Sequence, residues 1–514
     1  MRARARARAL MIQGTTSHAG KSLIVAGLCR LFRQEGLQVV PFKSQNMALN
    51  AYVTRDGGEM GWAQAMQAEA AGVEPRVEMN PILLKPESAH RSQVIVLGNV
   101  LGPSTARAYY TMTERLWGTV VESYRHLAAE ADLVLIEGAG SPAEPNLMER
   151  EIANMAVARL SAAPVVLVGD IDRGGVFASF VGTLSLLRPQ DRRRVRAFII
   201  NRFRGDPSFL TSAVELLERR TGQPVLGVVP MLPHLGLPEE DSVALDGPSP
   251  AAWRADGSRL TGGPVRIAVV RIPHIANFTD FKPLELEPGV VLIYGQRPAD
   301  LASSHLVILP GSKDTIADLR FLKAEGFAKA VSDHLSRGGS VGGICGGYQM
   351  LGRSVRDPHG VESGGEEAGL GLLPVTTVLE PWKTTRRVRA RLLPGPWGEG
   401  SGEWEAYEIH MGRTAGGEGL TRLFSIRRGG DEASDESGGV IARDGRAWGT
   451  YLHGCLDSPE VRQRLLAWLR ARAVSSAPVS SVDYRDLRES AYEALAEALR
   501  SSLNLPAIRA LIRL

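Results

Sequence analysis

Residues 10–32, LMIQGTTSHAGKSLIVAGLCRLF, place a glycine-bounded polar loop between two apolar segments. The loop from Gly14 to Ser22 follows a predicted strand and opens a predicted helix. Backbone N–H groups and a helix N-terminus at such a junction bind anionic oxygens. Five residues separate Gly14 from Gly20, one more than in the commonest phosphate-binding loop. A plain strand-to-helix turn is the alternative, but Gly20-Lys21-Ser22 at the helix start favours a nucleotide-binding α/β domain.

The same loop supplies candidate ligands for ATP and its metal ion. Lys21 is expected to reach the terminal phosphates, and the Ser22 hydroxyl to bind Mg²⁺. Mg²⁺ also prefers a carboxylate, and Glu137 and Asp170 each end a predicted strand; Glu137 is the favoured ligand. The candidate ATP-binding residues are Gly14, Thr15, Thr16, Gly20, Lys21, Ser22 and Asn201.

A second glycine-rich stretch, VGGICGGYQMLG at residues 341–352, contains one cysteine. A strand, a sharp turn and a helix in this order form a nucleophile elbow, and small neighbours relieve the crowding of such a turn. Cys345 would stand at the helix N-terminus, where the helix dipole favours a thiolate. The N–H of Gly346, with a second donor from near Gly311, is expected to stabilise a tetrahedral oxyanion.

A thiol nucleophile needs a base, and two histidines are candidates. His453 in GTYLHGCLD follows a predicted strand and is favoured, whereas His410 in YEIHMG is the rival. Cys29 and Cys455 lack glycine-rich surroundings and are expected to be inert core thiols. The sequence therefore predicts a Cys345–His453 pair.

Two series of apolar, β-rich runs alternate with helical stretches, which indicates parallel sheets covered on both faces. The predicted fold class is α/β with two doubly wound domains, the first like a P-loop NTPase and the second flavodoxin-like. The polar stretch 416–439 is predicted to be a surface loop. The predicted division is a disordered tail (1–10), a P-loop α/β domain (11–245), a linker (246–263), a second α/β domain (264–472) and a helical C-terminal extension (473–514).

Composition narrows the class of protein further. Of the 514 residues, 44% are hydrophobic and 23% charged, as in ordinary globular proteins, and a formal charge of +4 does not indicate nucleic-acid binding. No apolar run of about 18 residues exists, so no membrane span is expected. Three cysteines are too few for a disulfide framework, which favours the cytoplasm. The arginine-rich start lacks the apolar segment of a signal peptide, and Met11 is an alternative start.

The motifs GGICGGYQMLG and YLHG resemble those of class I glutamine amidotransferases. Together with QGTTSHAGKS, PFKSQNMALN, IEGAGSPAEPN, DIDRGGVFAS, NFTDFKPLE and YEIHMGRT, they resemble the cobyric acid synthase family over about residues 11–470. The resemblance implies that ATP, Mg²⁺ and L-glutamine, with no redox cofactor, are used to amidate the b, d, e and g carboxylates of adenosylcobyrinic acid a,c-diamide. The implied partners are a small-molecule corrinoid and glutamine, with no nucleic acid and no membrane, and the oligomeric state stays open.

The resemblance also implies roles for single residues. Asn201, and Pro230 after the next strand, stand where the related dethiobiotin-synthetase-like fold holds adenine, although a helix-capping role for the Asn is the alternative. Gly311, Gly346 and Gln349 are implied to bind glutamine and the oxyanion. The implied substrate residues are Lys43, Gln45, Asn46, Tyr407 and His410.

Two positions depart from the relatives. Many class I amidotransferases place a glutamate two residues after the catalytic histidine, where this chain has Cys455, so the group that orients His453 is open. In the phosphate loop, His18 stands where relatives often have aspartate.

Three alternative functions fit the sequence less well. A cobyrinic acid a,c-diamide synthase is disfavoured by FKSQNMALN and by the position of the linker. A partition-type switch ATPase usually has lysine where this chain has Thr15, and it leaves Cys345 and His453 unexplained. A pseudoenzyme is disfavoured by the intact nucleophile and phosphate loop.

Overall fold

The computed structural model describes residues 7–88, 91–232, 235–237, 245, 263–428, 436–473 and 483–514. Nearly all of the predicted linker, 246–262, lies outside the described residues. Among the described helices, none has the length and apolar character needed to cross a membrane.

The first unit of the fold is built on a parallel sheet. Its strands are β1 (Arg8–Gly14), β2 (Val39–Phe42), β3 (Gln45–Met47), β4 (Ala51–Val53), β5 (Glu59–Gly61), β6 (Ile82–Ser88), β7 (Arg91–Val96), β8 (Asn99–Thr105), β9 (Leu133–Glu137), β10 (Val165–Asp170), β11 (Val195–Phe203) and β12 (Val225–Pro230). Its helices are α1 (Lys21–Gln34), α2 (Trp62–Ala71), α3 (Ala106–Glu130), α4 (Met155–Ser161), α5 (Val176–Leu186), α6 (Pro189–Arg192) and α7 (Thr211–Thr221).

The order of the parallel sheet, β12-β11-β10-β1-β9-β2, positions the phosphate loop. Both sheet neighbours of β1 come later in the chain, so the loop after β1 lies at a crevice where connections leave to opposite sides. Buried aliphatic side chains cover both faces of this sheet, as a parallel sheet requires. A smaller sheet, β3-β6-β7-β8, projects the β6–β7 hairpin toward the second half of the chain.

Among the described residues, the second unit contains two seven-stranded sheets and one two-stranded sheet. Its strands are β13 (Val265–Val270), β14 (Ile275–Ala276), β15 (Val290–Gly295), β16 (Leu306–Leu309), β17 (Gly311–Ser312), β18 (Ser340–Ile344), β19 (Ser354–Asp357), β20 (Gly365–Ala368), β21 (Val375–Leu392), β22 (Glu403–Gly416), β23 (Leu420–Arg422), β24 (Phe424–Arg428), β25 (Glu436–Ser437), β26 (Gly439–Ala442), β27 (Ala447–Thr450) and β28 (Leu452–His453). Its helices are α8 (Lys282–Glu285), α9 (Thr315–Ala324), α10 (Phe327–Ser336), α11 (Gly346–Leu351) and α12 (Pro459–Ala473).

The first of these sheets is mainly parallel, in the order β15-β13-β16-β18-β27-β26-β23, with β26 and β23 antiparallel at one edge. The second is built on the long antiparallel pair β21–β22. Together with the parallel sheet of the first unit, this confirms the α/β fold class, while the second sheet was not expected from the sequence.

Two predictions about unstructured segments are wrong. Strand β1 begins at Arg8, inside the predicted tail, because residues 8–10 pair with Leu133–Leu135 of β9. A chain starting at Met11 would lack this part of the central strand. In the described parts of the stretch 416–439, which leave out 429–435, β23, β24 and β25 lie in sheets, and Leu423, Phe424 and Ile426 are buried.

The C-terminal helices α13 (Tyr484–Ser502) and α14 (Leu505–Leu511) return to the first unit. Leu495 and Leu499 of α13 are fully or almost fully buried in the same hydrophobic cluster as α1. A Cβ at Gly27 of α1 would lie 2.5 Å from Leu499 Cδ1, so a glycine is needed for the two helices to approach. The chain end therefore completes the core of the unit in which the chain begins.

We expect Leu499→Ala to lower the free energy of unfolding by about 2–5 kcal/mol, because it leaves a cavity in a dry interface. The free energy of unfolding is measured with urea, from the transition whose midpoint rises when ATP is added. Leu216→Ala on α7, where the side chain is 59% exposed, is the matched control and should change stability by less than about 0.5 kcal/mol. Equal unfolding of both variants would contradict the assignment of α13 to the core.

Candidate active sites

The phosphate loop lies between β1 and α1, as predicted. Gly20 has φ 93°, and a Cβ there would lie 2.1 Å from Asn201 Nδ2, so no larger residue fits. Asn201 at the end of β11 donates from this nitrogen to the Ala19 carbonyl oxygen at 2.9 Å. Lys21 Nζ donates to the carbonyl oxygens of Thr16 and Gly140, at 3.0 and 3.2 Å. These hydrogen bonds fix the loop around the ammonium group of Lys21.

Glu137 at the end of β9 lies beside the loop. Its Oε1 accepts hydrogen bonds from Ser22 Oγ and Lys43 Nζ, both at 2.9 Å, and its Oε2 accepts one from Gln67 Nε2. Burial opposes ionisation of this carboxyl, but Lys43 and Lys21 lower its pKa, so it is a carboxylate at neutral pH. Asp170, the alternative, instead accepts from Arg202 at 3.1 Å.

The oxygens of Ser22 and Glu137 form a donor set suited to Mg²⁺, which takes one or two protein oxygens and completes its shell with phosphates and water. Among the described residues, no group of three or more His, Cys, Asp or Glu side chains could hold a metal ion without such help. The site therefore fits a metal that arrives with a nucleotide.

A cavity of about 490 Å³ surrounds these groups. It is lined by Lys21, Ser22, Lys43, Asn46 and Glu137, and also by Lys282 of the second unit. Of the other residues predicted there, Asn46 donates to Gln64 Oε1, whereas Gln45 accepts from Tyr109 and does not line the cavity.

The cysteine stands in a strained turn between β18 and α11. Cys345 has φ 53° and ψ −111°, a conformation that costs free energy for any residue with a side chain. A Cβ at Gly347 would lie 1.9 Å from the Leu309 carbonyl oxygen, and one at Gly346 would lie 2.8 Å from Ser312 N. The glycines around Cys345 are therefore required by close packing of the turn against the neighbouring strand end.

His453 contacts the cysteine and is oriented by an aspartate. Its Nδ1 lies 2.6 Å from Asp280 Oδ2, and the other oxygen of Asp280 accepts from Gly454 N at 2.9 Å. Asn277 Nδ2 lies 3.4 Å from His453 Nε2, and Tyr407 stacks on the imidazole ring. Burial favours the neutral ring, but Asp280 and Cys345 raise the pKa of His453 to about 10. The site therefore holds an imidazolium beside the sulfur.

The structure brings Gly311 and Gly346, the two residues predicted to hold an oxyanion, to the cavity that Cys345 lines. Gly311 and Ser312 form β17, and Gly311 lies close to both Ala276 O and the His453 ring. One cavity is lined by Cys345, His453, Gly311, Gly346 and Gln349. Gln349 itself is held by Thr315 and Tyr451, at 3.1 Å each.

The remaining candidates occupy distinct positions. His410 lines the same cavity, but burial lowers its pKa to about 4 and it bonds to the Gly412 carbonyl, so it is a neutral ring. Tyr407 lies over His453 and donates to the Ala51 carbonyl oxygen at 3.4 Å. Cys29 and Cys455 are buried, and burial raises the pKa of both thiols.

The two units meet at a joint formed by Asn50, Ala51, Asn277 and Phe278. Asn50 Oδ1 accepts from Phe278 N, and Asn277 Oδ1 accepts from Ala51 N, both at 3.0 Å. Each asparagine thus bonds to the backbone of the opposite unit, and Asn277 also reaches His453. The joint is continuous with the histidine site.

Sequence reasoning missed Asp280 and Asn277. Both belong to the stretch NFTDFKPLE, which the family resemblance had singled out without assigning a role to either residue. Asp280 lies 173 residues before His453, so no local spacing connects them. The sequence signal that could have identified Asp280 was an acidic residue after the first predicted strand of the second series.

Two family models match the chain. Residues 10–242 match the CobQ/CobB/MinD/ParA nucleotide binding domain, and residues 266–461 match the CobB/CobQ-like glutamine amidotransferase domain.

Similar proteins cover nearly the whole chain. Cobyric acid synthase of Sorangium cellulosum is 49% identical over 96% of this chain and 96% of its own length. The Moorella thermoacetica enzyme of that name is 49% identical over 99% and 98%, and that of Syntrophobacter fumaroxidans is 48% identical over 99% of both. From these likenesses and both domain matches, the chain belongs to the cobyric acid synthase family.

Proposed function

We propose that the chain amidates the b, d, e and g carboxylates of adenosylcobyrinic acid a,c-diamide to adenosylcobyric acid, using ATP and glutamine-derived ammonia. The observation that carries the proposal is the presence in one chain of the Cys345–His453–Asp280 arrangement and a phosphate-loop site, in two units that contact each other. The nearly full-length likeness to cobyric acid synthases supports the choice of substrate over the a,c-diamide alternative.

We assign glutamine hydrolysis to the predicted domain 264–472. The Cys345 thiolate attacks the side-chain amide carbon of glutamine, and the oxyanion accepts hydrogen bonds from backbone N–H groups at Gly346 and near Gly311. His453 donates its proton to the leaving nitrogen, and ammonia departs. The neutral imidazole then takes a proton from water, which attacks the thioester and releases glutamate.

We assign carboxylate activation to the predicted domain 11–245 with its C-terminal extension 473–514. A carboxylate is a poor acyl donor, and its attack on the γ-phosphorus of ATP gives an acyl phosphate and ADP. Lys21 neutralises the phosphoryl oxygens, while Ser22 and Glu137 would hold Mg²⁺, which supplies further charge neutralisation when bound. Lys43 and Asn46 line the same cavity and are in position to orient the carboxylate. Ammonia then displaces phosphate to give the amide.

Ammonia that escaped into water would be protonated and lost as a nucleophile. The joint connects the histidine site with the loop that leads from Asn46 to Ala51, which supports direct transfer between the two sites.

Cys345→Ser is expected to abolish glutamine-dependent amidation while leaving amidation with added ammonium intact. The reason is that only glutamine hydrolysis needs the thiolate. Amide product is measured with each nitrogen source, and loss of both activities would refute separable sites.

Lys21→Ala is expected to remove synthesis with either nitrogen source, since carboxylate activation precedes amide formation whatever supplies ammonia. The measurement is corrinoid-dependent ADP release together with amide product. A variant that amidates with ammonium at the wild-type rate would exclude Lys21 from catalysis.

Asp280→Asn is expected to lower glutamine hydrolysis by roughly 10²-fold or more, because His453 loses the carboxylate that orients it. Asp280 raises the pKa of His453, so its loss lowers that pKa and moves the alkaline limb of kcat/KM for glutamine to lower pH. Cys455→Ala, beside the same histidine, is the matched control and should be mild with an unmoved limb. A Cys455→Ala loss as deep as that of Asp280→Asn would contradict the assignment.

A further inference from the structure

The cavity above Cys345 is lined by charged side chains that glutamine hydrolysis as described does not use. They are Lys85, Lys313, Glu362 and Lys383. Lys85 belongs to the first unit, on the β6–β7 hairpin, whereas the other three belong to the second. The glutamine pocket is thus walled partly by the nucleotide-binding half of the chain.

Lys85 and Lys383 share one carboxylate. Lys85 Nζ donates to Glu59 Oε1 at 2.8 Å, and Lys383 Nζ donates to Glu59 Oε2. All three side chains are nine-tenths or more buried. Among the residues described, the ion pairs of both lysines are with Glu59 alone. Two buried ammonium groups therefore face one carboxylate.

This excess of positive charge is costly in a buried site. Burial, with the nearby ammonium groups of Lys85 and Lys313, lowers the pKa of Lys383 to about 8 despite its contact with Glu59. A second carboxylate in the cavity would balance the charge and favour the protonated lysine. The remaining lysine, Lys313, is already paired with Glu87 of the first unit at 2.9 Å.

The fourth of these cavity-lining residues, Glu362, is acidic rather than basic. Its Oε2 accepts from Thr315 N at 2.6 Å, and its loop is held by three backbone N–H groups that donate to Asp357. Burial raises the pKa of Glu362 to about 8. A ligand cation placed beside this carboxyl would favour its ionised form.

We propose that Lys85 and Lys383 together bind the α-carboxylate of glutamine and that Glu362 binds its α-ammonium group, so that the pocket is completed across the interface between the two units. The inference rests on the proposed glutamine hydrolysis at Cys345. Free glutamine carries both charges on its α-carbon, three carbons from the amide that Cys345 attacks, and the cavity offers both complements beside the sulfur. The pocket should therefore select against amides that lack these charges. Glutamine binding should also depend on the docked β6–β7 hairpin.

The experiment uses two analogues that each lack one charge. 4-Aminobutanamide lacks the α-carboxylate, and glutaramic acid lacks the α-amino group. Formation of the carboxylic acid that hydrolysis leaves from each amide (glutamate, 4-aminobutanoate or glutarate) is measured as kcat/KM in the full-length enzyme with ATP and corrinoid present. The variants are Lys85→Met, Lys383→Met and Glu362→Gln. Either lysine substitution leaves Glu59 with one ammonium partner, so a balanced buried pair remains.

We expect Lys85→Met and Lys383→Met each to lower kcat/KM for glutamine roughly 10–100-fold, as loss of a charged hydrogen bond does, through KM rather than kcat. Because 4-aminobutanamide lacks the carboxylate, its kcat/KM should be little changed, and the preference for glutamine over it should fall by the same factor. Glu362→Gln should reduce the preference for glutamine over glutaramic acid in the same way.

Arg387→Met is the matched control. Arg387 also joins the units, donating to the Val53 carbonyl oxygen at 2.9 Å, but it does not line this cavity, so KM for glutamine should stay near the wild-type value. Ammonium-dependent synthesis reports folding for every variant. If Lys85→Met fails that test, Lys383→Met decides, since it lies in the other unit.

Unchanged preference for glutamine over 4-aminobutanamide in the folded lysine variants would overturn the inference. A wild-type enzyme that releases no glutamate from glutamine would instead overturn the proposed function, so the two failures are distinguishable.

Discussion

The contact between Asp280 and His453 depends on the joint between the two units. Asp280 lies in a short turn, Phe278–Phe281, whose first N–H donates to Asn50 of the first unit. The preceding residue, Asn277, bonds to Ala51 and lies within reach of the imidazole. A shift of the first unit therefore moves the segment that carries the orienting carboxylate. The geometry of the nucleophile site therefore depends on the docked first unit as well as on contacts inside the second unit, such as the hydrogen bond from Gly454 N to Asp280.

Buried, charged side chains lie in ion pairs around the cavities of both sites. Glu137 is surrounded by Lys43, Lys21 and Ser22, and Glu59 by Lys85 and Lys383. Replacing buried ion pairs with apolar residues is often neutral or stabilising, so such pairs are weak evidence for stability. Their placement around two cavities indicates a role in binding charged groups. The pairs Lys383–Glu59 and Lys313–Glu87 cross between the units, which links occupancy of one cavity to their docking.

The sequence revealed those features that contiguous residues determine. The phosphate loop and the cysteine turn each lie within about a dozen residues, and their glycines report a steric requirement that the structure bears out at Gly20 and Gly347. Asp280 escaped detection because its partner lies 173 residues away. The stretch 416–439 was misjudged because its polar residues outnumber the few apolar ones, although Phe424 and Ile426 alternate across a strand and bury one face. Tertiary packing decided both cases.

The end of the chain adds a further contact between the units. Arg488 on α13 pairs with Glu69 of the first unit at 2.9 Å and approaches Asp457, two residues after Cys455, at 3.6 Å. The joint, the pairs Lys383–Glu59 and Lys313–Glu87, and the contact of Arg488 with Asp457 all cross between the units, and together they restrict rotation of one unit on the other. In the proposed reaction, this restriction matters because ammonia has to reach the acyl phosphate before water protonates it. The packing of α13 on α1 fixes the position from which Arg488 reaches Asp457, and a buried helix face holds that position more firmly than a surface ion pair would.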